Sequence, residues 1–140
     1  MTPADDRKDD ERILRELIDA WGTSVRNQDI EGTVARHASD LVMYDVVAPL
    51  RAIGISAYRH SWLEQFFPWA RDGGKFELRD IAITAGDRVA FATALIDCAG
   101  TEGGRRVEYT LRLTLGFEKR EGAWTFVHEH HSQPVDFDEA

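Results

Sequence analysis

Three of the chain's five histidines sit together near its C-terminal end, in Phe126-Val127-His128-Glu129-His130-His131-Ser132. Imidazoles grouped this closely suit a metal site, an acid/base pair, or polar filling at a strand end. A carboxylate, Asp45, ends the apolar run Leu41-Val42-Met43-Tyr44. In apolar surroundings such a group can serve as a general base, and on a strand end it can equally bond loop amides. Which chemistry is possible depends on where the elements point these side chains.

The elements are readable from periodicity. Ile13, Leu14, Leu17, Ile18, Trp21 and Val25 recur at helical spacing. Asp29 is placed to cap a short second helix, whose end carries His37. Residues 40–47 read as a strand, and residues 55–70 as a third helix bearing Tyr58, Trp62, Phe66 and Trp69. Four strands follow, 76–84, 88–98, 106–119 and 124–132, joined by short turn-type segments. The order predicts an α+β fold, with three helices packed on an antiparallel meander. Residues 1–8 read as a flexible acidic lead-in, 9–135 as one domain and 136–140 as an acidic tail.

Alternation assigns the faces. In 106–119, Val107, Tyr109, Leu111, Leu113, Leu115 and Phe117 share the core side. In 88–98, Val89, Phe91, Thr93, Leu95 and Asp97 are expected inward. Ala90, Ala92, Ala94, Ile96 and Cys98 are then expected on an outer face that meets a second copy. Counting from Trp124 and Phe126, His128, His130 and Ser132 point inward, and Glu129 and His131 outward. The rings of His128 and His130 would then stand about 7 Å apart on one face. They suit acid/base work, hydrogen bonding to a ligand, or a polar cap on the sheet end. A metal site would need a third ligand from Asp45, Asp97 or His60, and no recognised third-ligand motif supplies it, so no metal is expected.

Composition narrows the partners. The chain has 140 residues, 43% of them hydrophobic, and a net charge of −8. That charge, with no basic stripe, predicts neither nucleic-acid nor membrane-surface binding. A single cysteine, Cys98, rules out an intrachain disulfide. No apolar run of membrane-spanning length or secretory-type leader is present, so the cytoplasm is the expected location.

The order helix, helix, strand, helix, four strands resembles the nuclear-transport-factor-2-like fold. Residues 27–49 (NQDIEGTVARHASDLVMYDVVAP), Gly54 and the ending GAWTFVHEHHS are similar to SnoaL-like polyketide cyclases and ketosteroid isomerases. The resemblance implies a cystatin-like α+β barrel, with a strongly curved sheet enclosing a conical pocket, and homodimers through the sheet's outer face. It also implies that Asp45 occupies the position of the base that moves a proton beside a ketone. The family's oxyanion donors do not carry over, because Trp21 and Leu113 stand where they are expected.

The expected site therefore has Asp45, His128 and His130 as catalytic groups. Trp21, Tyr44, Tyr58, Trp62, Phe66, Asp97, Tyr109 and Ser132 are its expected wall. The expected ligand is a small apolar or carbonyl-bearing molecule, and proton transfer on it needs no cofactor. The alternative is a non-catalytic ligand-binding or association module of the same fold.

Overall fold

The structure, a computed structural model, describes residues 2–139. Its first helix, α1 (Pro3–Arg26), is closed by a capping box, in which the Thr2 hydroxyl accepts from the Asp5 amide at 3.2 Å. Residues 3–8 of the segment expected as lead-in are thus helical. One stripe of α1, Leu14, Ile18, Trp21 and Val25, is buried, at the four-three-four spacing of a single helical face. In the short α2 (Ile30–Val34), the Asp29 carboxylate accepts from the Gly32 amide at 3.1 Å, the expected cap.

Next come β1 (His37–Tyr44), a two-residue β2 (Ala52–Ile53), and α3 (Ile55–Ser61). The rod continues through a π-turn at Trp62–Phe66 into α4 (Phe67–Ala70). Pro68 follows that turn without an N–H to donate, and the Phe67 amide reaches five residues back to the Trp62 carbonyl. Four long strands complete the chain, β3 (Lys75–Ala85), β4 (Val89–Glu102), β5 (Arg105–Arg120) and β6 (Ala123–Ser132). The β4–β5 turn is only Gly103-Gly104, and both residues take positive φ (59° and 77°), as a tight hairpin requires.

The six strands form one open sheet in the order β2-β1-β6-β5-β4-β3. It is mixed, because β1 runs parallel to β6 while every other pair is antiparallel. The α+β plan is as expected. The sheet expected to be antiparallel is mixed through the β1–β6 pair alone, and it is not closed.

Two expected facings are reversed. In β4, Ala92 pairs with Leu115 and Ala94 with Leu113, so the alanines share the leucines' inner face. Ala90, Ala92, Ala94, Ile96 and Cys98 are all buried, whereas Val89 and Phe91 are exposed. The bulkier residues of β5 do mark its core side, but those of β4 do not, since residues paired across an antiparallel ladder must share a side. The outer face is therefore not the alanine face.

The second reversal is in β6. Phe117 pairs with Phe126, but Gly116 pairs with His128, so Val127 is an extra residue in the ladder. This β-bulge shifts the parity of everything after it. Glu129 and His131 turn inward and are buried, while His130 is exposed on the outer face. Gly116 marks the spot, because a Cβ there would stand 3.2 Å from the His128 Cβ.

Candidate active site

The parallel pairing of β1 with β6 sets the site. Met43 lies opposite Glu129 and Tyr44 opposite His130, so the next residues along, Asp45 and His131, come together on the inner side. Nδ1 of His131 is 3.3 Å from Asp45 Oδ1, which also accepts from the Val46 amide at 2.7 Å. On its other side, Nε2 of His131 is 3.5 Å from Glu129 Oε2. That distance is long for a hydrogen bond but short for charge attraction. Burial disfavours a charged imidazole, yet the hydrogen bond to Asp45 and the attraction of the Asp45 and Glu129 carboxylates outweigh it and raise the pKa of His131 to about 10.

Glu129 extends the chain of contacts into the core. Its Oε1 accepts from the Tyr58 hydroxyl at 2.8 Å and lies 3.0 Å from Nε2 of His37. Burial alone would raise this carboxyl, but the neighbouring His131 and His37 imidazoles hold it down, to about 2. The Tyr58 hydroxyl in turn accepts from Nε1 of Trp21 at 3.0 Å. Burial and the neighbouring Glu129 charge push its own ionisation well above the ordinary range. His37 is held between the rings of Tyr58 (4.7 Å) and Phe126 (4.1 Å). Its ring is thus fully enclosed, on the first residue of β1 rather than at the end of a helix.

Above Asp45 and His131 opens a cavity of about 460 Å³, between the α3–α4 rod and the inner face of β4, β5 and β6. Trp62, Phe66, Trp69, Phe76, Ile96 and Leu111 make its walls mainly apolar, and Ser61, Gln65 and Gln133 add polar edges. The Cys98 thiol also lines it, with its pKa raised to about 11, first by burial. At the mouth, one carboxylate holds two rings. Glu102 accepts from the Trp69 indole N–H at 3.0 Å and from the Tyr109 hydroxyl at 3.1 Å. Gly100 leaves room for this, because a Cβ there would stand 2.2 Å from the Trp69 ring.

Of the residues expected at the site, the cavity brings together Asp45, Trp62, Phe66 and Tyr109. Trp21 and Tyr58 lie deeper, in the network behind it. His128 and His130 flank Tyr44 on the outer side, with ring centroids 5.0 and 5.3 Å away. The Ser132 hydroxyl accepts from Nε of Arg112 at 3.1 Å. Asp97 accepts from Nε of Arg79 at 2.7 Å and from the Thr110 hydroxyl at 2.8 Å. The inward placement of these outer-side residues is corrected by the β6 bulge and the β4 register. Glu129 and His131, expected outward, and His37, expected at a helix end, instead stand beside or behind Asp45. The lone glycine in Thr114-Leu115-Gly116-Phe117 was the available signal, since such a residue within a strand marks a bulge. Among the described residues, no group of three or more His, Cys, Asp or Glu is arranged to hold a metal ion.

The chain is 31% identical to an NTF2-like protein of unknown function from Pseudomonas putida KT2440, over 94% of this chain and 92% of that one, with a TM-score of 0.83. The SnoaL-like domain profile matches residues 14–136. The chain belongs to the SnoaL-like family. This SnoaL-like protein also shares its fold with an NTF2-like protein from Streptomyces avermitilis described as a candidate dehydratase. That match has 13% identity, 93% and 99% coverage and a TM-score of 0.78. A candidate ketosteroid isomerase from Shewanella frigidimarina is similar at 18% identity, 84% and 92% coverage and a TM-score of 0.71. No curated protein matches the SnoaL-like chain. No helix among its described residues is long and apolar enough to cross a membrane.

Proposed function

We propose that this SnoaL-like protein binds a small apolar carbonyl compound and catalyses cofactor-independent proton transfer on it, with Asp45 as the base. Isomerisation, cyclisation, hydration and dehydration all need a placed base to move a proton. The observation that carries the reading is that Asp45 lines an apolar cavity with a buried imidazole bonded behind it. Its Oδ1 is occupied by the Val46 amide and His131, whereas Oδ2 makes no hydrogen bond among the described residues. In this reading that oxygen takes a proton from the carbon beside the ligand's carbonyl. As the proton arrives, negative charge moves to the ligand's oxygen, while His131, bonded to Oδ1, keeps the carboxylate turned with Oδ2 free. His131 is a positioning residue in this scheme, since it acts through Asp45.

The test is hydrogen–deuterium exchange at carbon, followed by NMR on a panel of small cyclic and aryl ketones in D₂O. Exchange is expected with the wild-type protein and should fall by roughly 10²-fold or more in Asp45→Asn. Binding without exchange would instead support the non-catalytic ligand-binding module. Absence of binding across the panel would overturn the pocket reading.

A further inference from the structure

Beside the main cavity lies a smaller cleft of about 170 Å³. Asp45, Val47, Ser61 and Gln65 line both spaces, so a single layer of side chains divides them. The cleft's inner wall is apolar, from Met43, Ala52 and Ala57, and its rim carries Arg51 and His60. Neither rim residue forms a side-chain hydrogen bond or ion pair among the described residues. Neighbouring cations differ, since Arg59 pairs with Glu31 at 2.8 Å and Arg36 donates to the Trp124 carbonyl at 3.0 Å. The Asp45 charge that also faces the cleft is countered from behind by His131.

We propose that this cleft is a subsite for a carboxylate carried on the ligand, with Arg51 as its principal partner and His60 as a second donor. The proposal rests on the pocket reading above and extends it to a substrate class, a carbonyl compound with an acidic arm. The apolar body would fill the larger cavity, and a short hydrocarbon arm would pass the Val47–Gln65 wall. A guanidinium free of other partners presents two parallel N–H donors that match the two oxygens of a carboxylate. On a chain of net charge −8, an anionic ligand gains nothing from the overall field, so a local cation is what would retain it.

The experiment is a protein-observed NMR titration of the full chain with aryl keto acids and their methyl esters, run as matched pairs. The acid is expected to bind roughly five- to tenfold more tightly than its ester, with shifts at Arg51 and His60. Arg51→Gln should remove that preference and leave ester binding unchanged. Raising the salt concentration should weaken the acid selectively. Equal affinity of acid and ester, or a preference that survives Arg51→Gln, would overturn the subsite while leaving the pocket reading intact. If no probe shifts Asp45 or Trp62, the pocket reading fails and the subsite falls with it.

Discussion

Carboxylates and imidazoles alternate along one line of contacts, in which Asp45, His131, Glu129 and His37 succeed one another at 3.3, 3.5 and 3.0 Å. A buried carboxylate between two imidazoles tolerates loss of charge poorly, since each neighbour is left without its partner. Glu129→Gln is expected to destabilise the fold by about 3–5 kcal/mol, read by chemical denaturation. The pH dependence follows from the two shifts. His131 is raised, so its contribution is complete below about 6.5 and declines as pH rises towards about 10. Glu129 is lowered, so its contribution is complete above about 4.5 and is lost as pH falls towards about 2. Thermal stability should therefore be greatest near pH 4.5–6.5 as far as this pair is concerned. His131→Gln should flatten the alkaline limb, and an unchanged limb would remove His131 from the pair.

At the scale of elements, two glycines decide where bulky groups can lie. Gly116 admits the bulge that turns Glu129 and His131 inward, and Gly100 lets the Trp69 ring rest against β4. Gly100→Ala should displace that ring and loosen the Glu102 clasp, at a cost of about 1–3 kcal/mol. A changed tryptophan emission together with weaker ligand binding would register it. Much of the element structure was legible, since the Leu14–Ile18–Trp21–Val25 stripe, the Asp29 cap and the four long strands all follow from local periodicity. The facing of β6 was not, because one inserted residue cancels alternation without leaving any trace in hydrophobicity.

For the whole molecule, the open sheet presents Val89 and Phe91, 64% and 49% exposed, on its outer side. We propose that two copies associate through this face, now on the strength of these side chains rather than of the buried alanines. Light scattering should give twice the chain mass, and Phe91→Arg should shift it towards the monomer. A monomeric wild type would refute the association.

The sequence by itself determined the α+β plan, the family resemblance, the absence of a disulfide and the place of Asp45 at the end of the first strand. These depend on composition and short-range periodicity, which the chain carries openly. Only the tertiary structure decided which histidine stands beside Asp45. That partnership arises from a parallel pairing of strands more than eighty residues apart and from an extra residue opposite Gly116. Strand parity is a local property, whereas the register between distant strands is set by packing. The site is made where the two meet.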